Sequence, residues 1–375
     1  MRLPRYDKSS LAMKREVVTA GDTVYAAGQI ASDYRTGVPP EARQDPAFPY
    51  YGSDIQKQAR YILDNLRSVF KAAGCDLKDV VKSQVFLTDL RDFYYFDQVW
   101  KEFFPSPPPR TTVQVSGLLV PGCRVEIDLI AVRPGVARRV ITGAGTPTPM
   151  AHYCQGVLAG ETMYAAGQIA SDYRTGVPTG SDLRKQTRYV LNNIRSVLKA
   201  AGCDLKDVVK SQVFVTDLDD FPSFDEAWKE FFPSPPPRTT VQVSGLLVPG
   251  CRIEIDLTAV LPGVARRGMD SEAVLAGETL YAAGQIAADS RGGSDIRKQT
   301  RYVLNNLRST FKAAGCDLKD VVKSQVFLTE LNDFYYFDQV WKEFFPSPPP
   351  RTTVQVSALA VPGCRVEIDL TAVLP

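Results

Sequence analysis

The sequence predicts an α+β protein built from three tandem copies of one domain. Two segments recur unchanged: KAAGCDLKDVVKSQVF begins at residues 71, 199 and 312, and WKEFFPSPPPRTTVQVS begins at residues 100, 228 and 341. The arginine of the second segment recurs at intervals of 128 and 113 residues, which is the length of a small domain rather than of a solenoid repeat. Within each copy the apolar residues change between a helical period and a strand period, so helices and strands both contribute.

The elements of the first copy follow in order along the chain. TVYAAGQIAS has the pattern of a strand, and its internal glycine indicates a bulge or a close backbone approach. Residues 53–74 have the spacing of an amphipathic helix, for which Ser53 is the predicted N-cap and Gly74 suits the C-terminal end. VVKSQVFLTDL is a strand, residues 93–103 form a second helix that Pro105 ends, and RTTVQVSGLL and CRVEIDLIAV are two further strands.

The repeats define the domain organisation. One face of each sheet would pack against its helices, and the sheets of the sister repeats would cover the other face, which also carries apolar residues. The loop after YAAGQIA is long only in the first copy, and two exposed connectors that contain Gly and Pro join the copies. The predicted boundaries are residues 1–133 for repeat one with its loop insertion, 134–151 for a linker, 152–262 for repeat two, 263–270 for a linker, and 271–375 for repeat three.

Composition and charge exclude several classes of protein. The 375 residues include 44 Lys and Arg against 42 Asp and Glu, so there is no broad basic field for nucleic acid. No apolar run is long enough to span a membrane, and the first residues lack the apolar centre of a secretory signal. The seven cysteines lack CxxC spacing and indicate reduced thiols rather than zinc or disulfides, so a cytoplasmic protein is expected.

Each copy stiffens the approach to one arginine with a run of prolines. Arg110, Arg238 and Arg351 each begin a strand directly after PSPPP. A guanidinium suits a planar carboxylate, because its fork donates two parallel charge-assisted hydrogen bonds. The spacing alone leaves a ligand carboxylate and a structural carboxylate both open, and favours the structural one.

The combined motifs of each copy point to a known family. YAAGQIA, the helix ending in KAAGCDL, the strand DVVKSQVFLTDL and the terminal PPRTTVQVSGLLVPGCRVEIDLIAV together resemble the YjgF/Rid family of reactive-intermediate (imine and enamine) deaminases. The resemblance implies three chorismate-mutase-like domains that form a single-chain pseudo-trimer, with an inner β-barrel and outer helices. It also implies pockets between the repeats in which the three arginines hold a substrate carboxylate.

Each copy of the strand VEIDL, or IEIDL in repeat two, supplies two carboxylates. Glu126 and Asp128 are two residues apart and therefore point to the same face of the strand. A carboxylate near a bound imine would orient the attacking water, whereas a solvated or salt-bridged strand face is the alternative. Family members usually have Glu at the second position, so the shorter side chain alters the expected geometry. The predicted catalytic carboxylates are Asp128, Asp256 and Asp369.

Hydroxyl and glycine residues complete the predicted platform of each pocket. A threonine two residues after each arginine would bind substrate or water, at a position where many family members have Cys. The glycine of AAGQI would let a backbone amide approach the ligand, although a strand bulge explains it equally well. These candidates are the catalytic residues Thr112, Thr240 and Thr353 and the substrate-binding residues Gly28, Gly167 and Gly284.

The start of each repeat predicts that the pockets are unequal. The segment AHYCQGV in repeat two is similar to the family segment whose tyrosine lines the pocket, so Tyr153 is a predicted substrate-binding residue. The aligned positions in the other repeats are Lys14 and Asp270. The loop insertion of repeat one adds the aromatic residues Phe48, Tyr50 and Tyr51, which we expect beside one pocket.

The leading functional hypothesis is a deaminase that hydrolyses a small carboxylate-bearing imine or enamine to a carbonyl product and ammonia. It requires no cofactor and no metal, and a histidine metal site is excluded because His152 is the only histidine. Two alternatives remain open: a pathway-specific hydrolase that opens a cyclic amide or deaminates an aminomuconate-type compound, and a non-enzymatic ligand-binding or holdase protein. In each case we expect a monomeric chain with no nucleic-acid or membrane partner.

Overall fold

The structure is a computed structural model that describes residues 15–34, 36–44, 50, 52–172, 176–177, 179–269, 272–288, 293 and 295–375. Each repeat has the same order of elements, namely three short strands, a long helix, a long strand, a short helix and three strands, which confirms the α+β class. Repeat one comprises β1 (Val17–Ala20), β2 (Thr23–Ala26), β3 (Gln29–Ile30), α1 (Ser53–Ala72), β4 (Val80–Leu87), α2 (Phe93–Phe103), β5 (Arg110–Gln114), β6 (Gly117–Leu118) and β7 (Val125–Val132).

Repeats two and three reproduce this order, and each is preceded by an additional strand that lies within a predicted linker. Strand β8 (Arg138–Ile141) precedes repeat two, which comprises β9 (Gly156–Ala159), β10 (Thr162–Ala165), β11 (Gln168–Ile169), α3 (Leu183–Ala201), β12 (Val208–Val215), α4 (Phe221–Phe231), β13 (Arg238–Gln242), β14 (Gly245–Leu246) and β15 (Ile253–Val260). Strand β16 (Arg266–Met269) precedes repeat three, which comprises β17 (Ala273–Ala276), β18 (Thr279–Ala282), β19 (Gln285–Ile286), α5 (Ile296–Ala314), β20 (Val321–Leu328), α6 (Phe334–Phe344), β21 (Arg351–Gln355), β22 (Ala358–Leu359) and β23 (Val366–Val373).

The predicted cap of the first helix is wrong. α1 begins two residues earlier than the positions at which α3 and α5 begin, so Ser53 lies inside the helix and Gly52 occupies the N-cap. The Ser53 hydroxyl is buried without a hydrogen-bond partner among the described residues. In the other repeats Asp182 and Asp295 cap the helix by accepting from backbone amides of the first turn. The C-terminal glycine behaves as predicted, since Gly74 has a φ of +80°.

The three repeats form a ring of three separate sheets. In repeat one the strand order is β1-β2-β7-β4-β5, with β4 and β5 parallel. The short strand β14 of repeat two then pairs with β5 of repeat one. In the same way β22 of repeat three pairs with β13, and β6 of repeat one pairs with β21. The cyclic order is therefore one, two, three and back to one, but the described strands form separate sheets and not the closed inner barrel that was predicted.

Helices pack on one face of each sheet and bury its apolar residues. The α1 residues Ile55, Ile62 and Leu66 are fully buried, in agreement with the predicted apolar face. In α2, Trp100 is fully buried, and its ring lies 4.2 Å from that of Phe104 at the end of the helix. The proline run that follows then leads back to the sheet, so the packed end of α2 fixes where β5 begins. No helix among the described residues is long and apolar enough to cross a membrane.

The loop insertion of repeat one is described only in part. Phe48 and Tyr51 lie outside the described residues, so their predicted place beside a pocket stays a prediction. Tyr50 is 47% exposed, and its ring packs edge-on against that of Tyr95 at 6.5 Å.

Candidate active site between repeats one and two

Arg110 is held rigidly at the first position of β5. Its side chain is buried, and Nη2 donates a hydrogen bond of 2.8 Å to Oδ1 of Asp97 on α2. The guanidinium carbon also lies 5.1–5.6 Å from the ring centroids of Phe93, Phe96 and Trp100. Nη1 has no hydrogen-bond partner among the described residues, so one arm of the fork is structural and the other is available to a ligand.

The electrostatics of this pair favour two charged groups. Burial lowers the pKa of Arg110, but Asp97 opposes this effect. Burial also opposes ionisation of Asp97, yet Arg110 and Lys101 together hold the pKa of this carboxyl below its usual value. Sequence reasoning allowed for a structural carboxylate without identifying Asp97, whose only signal is its position on the inner face of the helix that precedes the proline run.

The other two arginines repeat the arrangement. Nη2 of Arg238 donates to Asp225 at 3.0 Å, and Nη2 of Arg351 donates to Asp338 at 2.9 Å. The three side chains differ in exposure, at 1% for Arg110, 5% for Arg351 and 20% for Arg238. The arginine–aspartate pair therefore occurs in all three repeats, and Arg238 is the arginine most exposed to solvent.

The segment that begins repeat two lies along the proline run of repeat one. The amide of Cys154 donates to the carbonyl oxygen of Pro108 at 3.3 Å, and Nε2 of His152 lies 2.6 Å from the carbonyl oxygen of Phe104. These contacts place the intervening Tyr153 opposite Arg110. The single histidine of the sequence thus helps to position the predicted tyrosine.

A cavity of about 220 Å³ lies between these two repeats. Repeat one contributes residues of α2 and β5, and repeat two contributes its first segment, its glycine bulge and β15. The polar and aromatic lining residues are Phe93, Arg110, Thr112, Tyr153 and Glu254, with Gly167 at the bulge. Of the predicted site residues, the structure therefore brings together one arginine, one threonine, one glycine and Tyr153.

The carboxylate of this cavity is Glu254 rather than the predicted Asp256. Oε1 of Glu254 accepts a hydrogen bond of 3.3 Å from the backbone amide of Thr112. Burial raises the pKa of Glu254 to about 8; Asp256 contributes to the increase, whereas Arg110 and the Thr112 amide oppose it. The group is therefore largely protonated at neutral pH and can exchange a proton near it.

The aspartates lie instead in a second, narrow cavity of about 50 Å³ where the three repeats meet. Oδ1 of Asp256 accepts from Nζ of Lys82 at 2.6 Å, and Oδ2 accepts from Gln84 and Thr111 at 2.9 Å each. Asp256 thus already has three partners from repeat one. Equivalent lysine pairs hold Asp369 with Lys210 and Asp128 with Lys323. At this interface the first carboxylate of the pair, Glu254, therefore lies by Arg110, and the second, Asp256, lies in the narrow cavity.

The glycine bulges allow each glutamate to lie against the backbone. A Cβ atom at Gly167 would overlap Oε1 of Glu254 and crowd Thr111, so no larger residue fits without displacing them. The amide of Gly167 donates to Oγ1 of Thr111 at 3.1 Å. This amide binds the neighbouring repeat, which differs from its predicted approach to a ligand. Gly28 and Gly284 make the same bond to Thr352 and Thr239.

The remaining two interfaces keep part of the same chemistry. Burial raises the pKa of Glu367 to about 8, and Arg238 of repeat two opposes this rise. The hydroxyls of Thr240 and Thr353 are buried and have no hydrogen-bond partner among the described residues. Lys14 and Asp270, aligned with Tyr153, lie outside the described residues. Among the described residues, no three His, Cys, Asp or Glu side chains form a group able to hold a metal ion.

The chain therefore consists of three fused domains, and its candidate site is lined by residues of two neighbouring domains. A family profile described as Endoribonuclease L-PSP matches residues 10–133, 144–261 and 266–374. The human 2-iminobutanoate/2-iminopropanoate deaminase is 39% identical over 124 residues, which cover 33% of this chain and 90% of the human protein. A RutC family protein of Pyrococcus horikoshii is 41% identical over 110 residues, which cover 29% of this chain and 87% of that protein.

Solved structures match one repeat at a time. The E. coli YjgF gene product is 35% identical, with coverage of 32% of this chain and 98% of that chain and a TM-score of 0.31. The profile matches extend over most of the sequence. The chain therefore belongs to the Endoribonuclease L-PSP family, also called YjgF/Rid, and contains three tandem copies of its domain.

Proposed function

We propose that this chain hydrolyses a small imine, or its enamine tautomer, that bears a carboxylate, and releases a carbonyl compound and ammonia. The reaction occurs in the pocket between repeats one and two. Relatives that are 35–39% identical over one repeat carry the name 2-iminobutanoate/2-iminopropanoate deaminase. The observation that supports the proposal most directly is that Nη1 of Arg110, which is buried and unpaired among the described side chains, lies in the same cavity as Glu254, whose carboxyl group has a pKa of about 8.

Arg110 binds the substrate carboxylate through Nη1. This nitrogen is buried and has no hydrogen-bond partner in the part of the chain that the structure describes, so a ligand carboxylate can supply the bond that was lost on leaving water. Asp97 and the three aromatic rings fix the guanidinium, so binding costs little side-chain entropy. The substrate carboxylate is therefore held in one orientation relative to repeat two.

Glu254 moves the proton that the reaction requires. In the protonated form it donates to the imine nitrogen, which makes the carbon more electrophilic. The resulting carboxylate then accepts a proton from the water that attacks this carbon, so a carbon–oxygen bond forms and a carbinolamine results. Return of that proton to nitrogen breaks the carbon–nitrogen bond and releases ammonia, while the hydroxyl proton passes back to Glu254. A pKa of about 8 suits this cycle, because both forms are accessible near neutral pH.

Tyr153 closes the pocket on the side of repeat two. Burial raises the pKa of its phenol to about 12, and Glu254 adds to the rise while Arg110 opposes it. The phenol therefore remains a hydrogen-bond donor at neutral pH and can bind a substrate oxygen or the attacking water.

The size of the cavity restricts the substrate. The cavity volume of about 220 Å³ is below the roughly 300 Å³ at which pockets for drug-sized ligands begin. A short-chain imino acid fits, whereas a nucleic-acid strand would have to lie outside it.

The test is a coupled assay in which an amino-acid oxidase generates the imino acid in the presence of the purified chain. We expect faster release of keto acid and ammonia than in the oxidase reaction alone, and a large loss of this acceleration in Arg110→Lys and Tyr153→Phe. Arg60→Lys is a matched control, since Arg60 forms an exposed pair with Glu102 on the outer helices. Release at the uncatalysed rate by the native chain would rule out the proposal and favour a ligand-binding role.

A further inference from the structure

Linker strands span two of the three boundaries between repeats. We call the boundary between repeats one and two seam one, that between two and three seam two, and that between three and one seam three. Strand β8 pairs antiparallel with β9 at seam one, and β16 pairs antiparallel with β17 at seam two. Both strands follow the sequence Gly-Val-Ala and begin with two arginines. Each linker strand therefore adds an outer strand to the sheet of the following repeat.

At seam one the two arginines join both repeats. Nη1 of Arg138 donates to the carbonyl oxygen of Lys78 at 2.6 Å, and Nη2 lies 3.0 Å from Oδ1 of Asp79, both in repeat one. Nη1 of Arg139 donates at 3.1 Å to the carbonyl oxygen of Ala200, at the C-terminal end of α3 in repeat two. A cation at this end of a helix is favoured by the unpaired carbonyl groups there.

Seam two repeats these contacts with its own residues. Arg266 lies 2.9 Å from Oδ1 of Asp207, and also donates to a neighbouring carbonyl oxygen of repeat two at 2.8 Å. Arg267 donates at 3.0 Å to the carbonyl oxygen of Ala314, at the end of α5. At both seams, therefore, the first arginine binds an aspartate of the preceding repeat and the second binds a carbonyl group at a helix end of the following repeat.

The fourth residue of each linker strand is apolar and packs inward. Ile141 is 1% exposed and belongs to the core of repeat two. Met269 is half-buried and packs against the core of repeat three. A segment that binds a seam therefore has the pattern Ala-Arg-Arg-x-apolar in an extended conformation.

Seam three has the same kinds of binding group as the other two seams, but no described strand occupies it. β1 is the outermost strand of a seven-stranded sheet, whereas β9 and β17 are covered in eight-stranded sheets. Asp320 is half-buried, although its counterparts Asp79 and Asp207 are each 1% exposed beneath their arginines. Ala73 at the end of α1 is likewise half-buried, whereas Ala201 and Ala314 are 3% and 4% exposed. Seam three thus has an open strand edge, a carboxylate and a helix end, and no strand of the described ranges crosses them.

We propose that seam three binds an extended segment of a partner polypeptide with the pattern Ala-Arg-Arg-x-apolar. Its backbone pairs with β1 in the register by which β8 pairs with β9. The first arginine binds Asp320 of repeat three, and the second binds the carbonyl groups at the end of α1 in repeat one. This is addition of a strand to an exposed sheet edge, in which side-chain contacts supply the specificity.

The test uses the peptide GVARRVITG, which is residues 135–143 of this chain, with a fluorescent label. We expect saturable one-to-one binding to the full chain by fluorescence anisotropy. A peptide with both arginines replaced by alanine should bind at least about tenfold more weakly, because each arginine forms charge-assisted hydrogen bonds. Absence of binding, or equal binding of the two peptides, would overturn the proposal.

Matched variants locate the binding to seam three. Asp320→Asn keeps an oxygen for the amide of Asp317, to which Asp320 is bound at 2.9 Å, but removes the charge; it should weaken binding about tenfold. Asp207→Asn makes the same change at a seam that is already occupied and should leave peptide binding unchanged. If the peptide binds only after residues 1–14 are deleted, the chain covers its own seam and no partner is required. If it instead dissociates a dimer in sedimentation experiments, the occupant is a second copy, and the partner proposal is likewise wrong.

Discussion

Replacing each platform arginine with lysine, one at a time, separates substrate binding from structural support. Lysine keeps a cation beside the helix carboxylate, so the pair with Asp97 can persist in Arg110→Lys. It cannot present the second arm of the guanidinium fork, which is Nη1 in the native chain. Alanine is a poorer choice, since it would leave Asp97, whose side chain is 8% exposed, without its main partner.

The magnitude follows from the bond that is lost. A hydrogen bond to a charged group contributes about 2 kcal/mol, which corresponds to about 30-fold in kcat/KM. We expect this loss for Arg110→Lys, because its pocket contains Tyr153 and Glu254. For Arg238→Lys and Arg351→Lys we expect less than about a twofold change, since the chain has no other tyrosine at the aligned position.

The assay is keto acid release at several substrate concentrations for the three variants, with thermal unfolding measured in parallel. Similar melting temperatures would show that the platform is intact in each case. Three equal losses of about one third in the total rate would refute the reasoning, because they would mean three equivalent and independent pockets.

Three further predictions test other parts of the site. Since the proposed acid form of Glu254 has a pKa of about 8, kcat/KM should be level below this pH and fall about tenfold per pH unit above it. Glu254→Gln should lower kcat/KM strongly, and its residual rate should not show this fall. Gly167→Ala should lower activity by displacing the Glu254 side chain, whereas Gly263→Ala, which has no described atom near the added Cβ, should be neutral. Lys82→Met should lower the free energy of unfolding by about 3 kcal/mol because it leaves the Asp256 carboxylate buried without its cation. Combining Lys82→Met with Asp256→Leu should restore much of the lost free energy of unfolding, measured with urea. Equal destabilisation of the single variant Lys82→Met and the double variant would contradict the pairing.

The elements of each repeat could be predicted from the sequence because their patterns are local. The apolar spacing of residues 53–74 and 93–103, and the alternation around VVKSQVF, recur almost unchanged in three copies. The helix stop at Pro105 and the glycine bulge are likewise set by the backbone chemistry of single residues. Ser53 fails as a cap because the start of α1 depends on the preceding loop, which has a different length in this repeat.

The choice between the two carboxylates of a strand could not be made in this way. Glu254 and Asp256 are two residues apart, and strand alternation shows only that their side chains point to the same face. The way the two repeats pack together decides that Glu254 accepts from the amide of Thr112 while Asp256 accepts from Lys82. These contacts join residues more than a hundred positions apart, for which the sequence contains no local signal.

The covalent fusion explains how one platform can support unequal sites. Strands β5, β13 and β21 and their arginines come from the repeated core, so a change there would have to be made three times to alter every pocket. The linkers occur only between repeats, and the first supplies Met150 and Ala151 to the pocket that contains Tyr153. Separate identical subunits would have to place the same residues at all three interfaces. A fused chain can instead confine Tyr153 to one interface and add outer strands to two seams, while the symmetric network around Lys82, Lys210 and Lys323 continues to hold the ring together. The unequal interfaces and outer strands, and the equal lysine–aspartate pairs where the three repeats meet, therefore follow from the same fused architecture.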